Sequence, residues 1–195
     1  MSNIENVKEH IIEITTDLIQ QNDGNAKSIT ARMIAKQAGI GLGLINYHFK
    51  SKDNLITVCV QRIIGEVVAG FRMEQEFETD EERLTAWATY VFNFLFEHPA
   101  ISRISIIGDF HSYSMKSNSV QSQKGFMLAL KQDIADEDKA ILSFILTTAI
   151  QVAFVGSETI KELLGYDFTK SRDRSAYIGR LVAVLFEDNR KEEKL

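Results

Sequence analysis

Between positions 29 and 52 the chain reads ITARMIAKQAGIGLGLINYHFKSK, and its side chains suit phosphate and base edges. Tyr47, His48 and Lys52 offer a phenol, an imidazole and an ammonium, each able to donate to a phosphate oxygen. Thr30 adds a hydroxyl beside the free amides of a helix start. Arg32 fits the bidentate edge of guanine, Asn46 that of adenine, and Leu42 and Leu44 the methyl of thymine. Lys27, Arg32, Lys36, Lys50 and Lys52 are opposed only by Asp53 between residues 26 and 55, a local charge of +4. The totals are 22 basic and 27 acidic residues, so 17 and 26 remain elsewhere, a charge of −9. A basic patch on an acidic body attracts a polyanion at one place and repels it elsewhere.

Other chemistries lack their residues. Gly39, Gly41 and Gly43 have no preceding strand and no following Gly-Lys-Ser/Thr, which argues against a nucleotide loop. His10, His48, His98 and His111 never pair at i, i+4, and the single cysteine, Cys59, has no partner. Neither a metal site, a cofactor nor a disulfide is expected. There is no nucleophile elbow and no HExxH, so the chain does not read as an enzyme. Cys59 falls on an apolar helix face and reads as a buried thiol.

The elements that must carry this segment are helical. With one proline in 195 residues, Pro99, long uninterrupted helices are expected. Ile4, Val7, Ile11, Ile14 and Leu18 recur at helical spacing, and NDGN at 22–25 ends that helix. Thr30 caps the next, Gly39 stops it, and Gly41 to Phe49 forms a second short helix. Ser51 then caps a long helix running to about Glu76 through Leu55, Val58, Ile63, Val67 and Phe71. Further helices are read at 80–97, 99–112, 120–133, 136–164 and 171–189. No sustained alternation of apolar and polar residues suggests a strand. The fold class is all-α, about nine helices: a three-helix head with a helix-turn-helix, and a larger body. Ala140–Ser157 is a stretch of uncharged residues near spanning length, but it holds Ser143, Thr147, Thr148 and Gln151 and reads as a buried helix.

Thr30, Ile34-Ala35, Ala38-Gly39-Ile40, Gly43, Tyr47-His48-Phe49, Lys52 and Leu55, in register without a gap, resemble the TetR family of bacterial transcriptional regulators. The likeness covers about residues 10–56. It implies DNA contact by Thr30, Arg32, Gly41, Leu42, Leu44, Asn46, Tyr47, His48 and Lys52, with the last turn of the recognition helix and Lys52 as a phosphate clamp. Two positions depart from the family pattern. Gly41 stands where serine or threonine is usual, and Leu42 where lysine or glutamine is common.

The resemblance extends expectations to the body. The family places a small-molecule cavity among aromatic helices and dimerises through its last two long helices. Trp87, Phe92, Phe110, His111, Phe144, Thr148 and Gln151 are the expected pocket residues, with the polar three as anchors. The apolar runs hold no lysine or arginine, which favours an apolar or aromatic ligand. Small residues recur at Ala149, Ala153 and Gly156 and at Ala176, Gly179 and Ala183, and these stripes are expected at the dimer interface.

The expected organisation is a DNA-binding domain over 1–52 and a ligand-binding and dimerisation domain over 53–195. The function expected is that of a homodimeric, ligand-responsive repressor of double-stranded DNA operators, cytoplasmic and without a membrane span. A helical carrier of hydrophobic small molecules would use the same body, but would have no need of the basic segment.

Overall fold

The computed structural model describes residues 3–22, 25–70, 76–130 and 134–187. Among them stand ten α-helices and no strand, joined by one 3₁₀ turn at Ala26–Ser28. In chain order these are α1 (Asn3–Gln21), α2 (Ala31–Ala38), α3 (Leu42–Phe49), α4 (Lys52–Gly70) and α5 (Asp80–Glu97). There follow α6 (Pro99–His111), α7 (Asn118–Ala129), α8 (Asp136–Val155), α9 (Ser157–Leu164) and α10 (Ser171–Phe186). The expected helix over 136–164 is two, because α8 ends at Gly156 and α9 starts at Ser157. The expected reach of α4 beyond Gly70, with Phe71, lies outside the described residues, as do 23–24, 131–133 and the end of the chain from 188.

The chain divides into two compact units. The first comprises residues up to 70 together with 98–113, so α4 and α6 pack with the head helices α1, α2 and α3. The packed unit therefore runs past the boundary expected at residue 52. Ile11, Ile19, Ile29, Ile34, Ile45 and Leu55 are fully buried there, one or more from every head element. Burying six such side chains contributes roughly 1.5–3 kcal/mol each before conformational entropy is counted. Arg62 on α4 pairs with Glu9 on α1. The α4–α6 contact is closer and polar: Gln61 donates to Asp109 Oδ1 at 2.8 Å and to the Ser105 carbonyl at 3.3 Å. A Cβ on Gly108 would stand 3.1 Å from Thr57 Cγ2, so glycine permits this approach.

The second unit holds α5, α7, α8, α9 and α10. Thr79 and Glu82 open α5 with reciprocal side-chain-to-amide hydrogen bonds, a capping box. Its core is aromatic: the Phe92 ring lies 5.2 Å from Phe96, 5.1 Å from Phe168 and 5.7 Å from Tyr177. Two arginines outside the apolar runs are buried in this unit. Arg83 pairs with Asp80 and donates to the Ala129 carbonyl. Arg174 donates to Asn93 Oδ1 and the Phe168 carbonyl, with the Phe96 ring 5.4 Å from its guanidinium. Helix α8 is the one described helix long and apolar enough to cross a membrane, yet Ser143, Leu146, Thr147, Ile150, Gln151, Ala153 and Phe154 are buried in the protein.

Candidate nucleic-acid interface

The Thr30 hydroxyl accepts from the Met33 amide at 3.2 Å and fixes the start of α2. Gly39 ends that helix at φ 66°, and the amides of Gly39 and Ile40 return to the carbonyls of Lys36 and Ala35. This left-handed step strains any residue with a Cβ, and it sets the angle between α2 and α3. His10 on α1 holds the same corner, its ring nitrogen 3.2 Å from the Ala38 carbonyl. Ile34, Ala35, Ala38, Ile45 and Phe49 are buried between the helices, which turns the rest of α3 outward.

The outward face carries the expected residues. Gly41, Leu42, Leu44, Asn46 and Tyr47 are all exposed, Tyr47 to 72%. Gly41 caps α3 through its carbonyl alone, accepting from the Leu44 amide at 3.0 Å. Arg32 is exposed on α2. His48 is half-buried, its ring edge-on to Tyr47 at 5.0 Å. Lys52, at the start of α4, is half-buried and reaches Asp53 at 3.4 Å, so a phosphate would compete with a weak surface pair.

Beside His48 lies a recess of about 410 Å³ lined by Lys8, Ile12, Phe49, Lys50, Asn54, Thr57 and Val58 as well. Lys50 joins α3 to α4 at φ 67°, a left-handed conformation for a residue with a side chain. Lys50 stood out in the sequence only as one charge of the basic patch and Lys8 not at all, because periodicity says nothing about which helix end meets which.

Residues 11–59 match the family model described as bacterial regulatory proteins, tetR family. Over these residues the chain is similar to the TetR family. An HTH-type transcriptional regulator of Staphylococcus aureus (strain MRSA252) is 26% identical over 95 residues, 48% of this chain and 50% of that relative. Another, from the bovine RF122 strain, is 27% identical over 99 residues, 50% of this chain and 52% of the relative. The chain thus spans about half the length of the curated relatives it matches. A TetR transcriptional regulator from Rhodococcus sp. RHA1 has the same fold, with a TM-score of 0.57 over 95% of this chain and 98% of that one, at 16% identity. The matched segment is a helix-turn-helix, and the nine residues expected to face DNA all lie on α2, α3, the start of α4 or their caps.

The expected pocket residues are not gathered in the same way. Phe110 and His111 are exposed on α6 in the first unit. Phe144 is 53% exposed on α8. Phe92 is sealed in the aromatic core, and Gln151 is buried with its amide on Ser119 Oγ at 2.7 Å. Trp87 is half-buried, its ring packed edge-on to Phe126, and Thr148 is half-buried on α8. None of the seven lines the open groove of about 890 Å³ beside α5, whose rim is acidic: Glu76, Glu78, Glu81 and Glu82.

The small stripes also divide. Ala153 is 1% exposed and belongs to the chain's own core, so it cannot face a second copy. Ala149, Gly156, Gly179 and Ala183 are half-buried and Ala176 is exposed. The uncovered face of α8 is instead formed by Ile141, Phe144, Ile145 and Val152. Spacing alone could not choose between these faces, because both repeat at three and four residues.

Proposed function

We propose that the chain is a homodimeric transcriptional repressor, released from its operator by a small apolar or aromatic ligand. The observation that carries this reading is the outward face of α3: exposed Tyr47, Asn46, Leu42 and Leu44 flanked by Arg32, Lys50 and Lys52. In a dimer, two such faces enter successive major grooves about 34 Å apart.

The uncovered apolar face of α8 supports a second copy as its cover, with Val184 of α10 exposed in the same unit. The aromatic second unit supports an apolar or aromatic effector. Such a ligand acts only through its differential affinity for dimers whose heads do or do not match the groove spacing.

Selection of binding sites from a random-sequence duplex pool tests the reading, and an enriched palindrome with half-sites one helical turn apart is the expected result. On the selected duplex, Lys52→Ala weakens binding whatever the base sequence. It also lowers the salt slope by ~0.9 for each phosphate that is no longer neutralised. A pool that never enriches overturns the DNA reading, and an unchanged slope removes Lys52 from the clamp.

A further inference from the structure

We propose that the recess beside His48 binds a small organic anion, a carboxylate or sulfonate on an apolar body, and that its occupancy weakens the hold of the head on DNA. The site stands on the lining of the recess, while its effect on DNA rests on the DNA-binding reading above.

The recess opens where three helices of the first unit meet. Lys8 and Ile12 come from α1, His48 and Phe49 from α3, and Asn54, Thr57 and Val58 from α4, with Lys50 joining the last two helices. At about 410 Å³ it has room for a small molecule. Its floor is apolar: Ile12 and Phe49 are buried, and Val58 leaves 41% of its surface to solvent. The polar groups around that floor are mostly donors, namely two ammoniums, an imidazole and the Asn54 carboxamide, and the Thr57 hydroxyl is engaged by the Asp53 carbonyl at 3.0 Å. No carboxylate lines the recess. Glu9 is held by Arg62 and Asp53 by Lys52, and among the described residues neither Lys8 nor Lys50 forms an ion pair.

Two details place the charge. Lys8 Nζ stands 6.0 Å from the centroid of the Phe49 ring, which sets an ammonium over the apolar floor. Lys50 has φ 67° and ψ −39°, a conformation that glycine enters freely and a residue with a Cβ does not. Strain of this kind gathers at ligand clamps, and here it holds a second ammonium at the recess. Cations over an apolar floor suit an anion with an apolar body. A phosphodiester supplies charge but nothing to cover Ile12, Phe49 and Val58, and an uncharged hydrocarbon leaves both lysines without a partner. His48 belongs to the recess and to the expected phosphate clamp alike, its ring 6.1 Å from Phe49 and 5.0 Å from Tyr47. An anion seated here takes the imidazole and the positive charge that a DNA phosphate would use, so each ligand weakens the other.

The test uses the full chain and 4-phenylbutyrate at constant ionic strength, with 4-phenylbutylamine and inorganic phosphate as controls. Ring-proton NMR follows the 4 histidines, and His48→Gln identifies the His48 signal. That signal is expected to shift and saturate with a Kd of about 0.1 mM, while the amine and phosphate leave it in place. Lys8→Gln and Lys50→Gly are each expected to weaken this binding at least about tenfold. Glycine accepts φ 67°, so Lys50→Gly is expected to melt no lower than the native protein. Trp87 fluorescence reports any ligand entering the second unit, and its response is expected to be the same in both variants. On the duplex selected from the random pool, about 1 mM phenylbutyrate is expected to weaken native binding about tenfold. Lys8→Gln is expected to need about tenfold more for the same loss. A His48 signal that does not saturate, or that moves equally with the amine or with phosphate, overturns the site and leaves the DNA reading standing. A saturating shift with unchanged duplex affinity overturns the effect on DNA. A pool that never enriches overturns the DNA reading, and the His48 titration then decides the recess by itself.

Discussion

Cys59 shows what burial does to a single side chain. Its thiol donates to the Ile12 carbonyl at 3.6 Å between α4 and α1, and loss of solvent pushes it up to about 11, against a smaller opposing pull from the Thr16 hydroxyl. At neutral pH it is a protonated thiol and a poor nucleophile. Native protein is expected to leave a disulfide reagent such as DTNB unreacted, and urea is expected to release one thiol with the unfolding transition. Rapid labelling without denaturant would place Cys59 in an open site. Glu9 shows the opposite case at the surface. The Arg62 hydrogen bond holds its carboxyl below the ordinary 4.5, with burial working weakly against it. Because the folded value is depressed, the pair stabilises the protein fully above the unfolded value. That contribution disappears as pH falls through the lowered one. Half-exposed pairs of this kind contribute about 0.5 kcal/mol. Arg62→Gln is expected to cost that much at pH 7 and progressively less as pH falls below the ordinary carboxylate range, read by urea midpoints.

Between elements, glycine decides how closely helices pass. A Cβ on Gly125 of α7 would lie 2.7 Å from Trp87 Cζ2 on α5, inside any real contact distance. Gly125→Ala must push the indole aside, and overpacking of this size costs about 1–3 kcal/mol. Trp87 is the only tryptophan, so its fluorescence reports the shift directly. The expected result is a displaced emission maximum with a lower urea midpoint, and an unchanged spectrum would show that the ring already has room to move. Gly108 is the milder counterpart in the first unit, where a Cβ 3.1 Å from Thr57 Cγ2 presses on one methyl.

For the whole molecule, the exposed face of α8 bears on assembly. Ile141, Phe144, Ile145 and Val152 are the residues a second copy would cover, and a charge among them would be stranded in the dimer. Ile145→Asp is expected to convert dimer to monomer in sedimentation equilibrium while circular dichroism keeps the helical content. Ile145 is 40% exposed in the single chain, so the substitution buries no charge there. Affinity for the selected duplex is expected to fall steeply, since one head grips only one half-site. A variant that stays dimeric moves the interface off α8.

The sequence by itself determined the helices, the head and its outward residues, because these depend on short-range features. Thr30 caps whatever follows it, Gly39 turns wherever it stands, and Ile34, Ala35, Ile45 and Phe49 repeat at the spacing that two crossing helices require. The side chains of Tyr47, Asn46 and Arg32 are exposed there, where the sequence expected them. Tertiary structure alone decided the body. Which side of α8 is core depends on α7, α5 and α10 packing against it, and it left Phe144 outside and Leu146, Ile150, Ala153 and Phe154 within. Arg174 went into the core because Asn93, 81 residues away, supplies an acceptor there. Such pairings join residues that periodicity cannot connect, since a helix pattern records that a face is apolar and not what covers it.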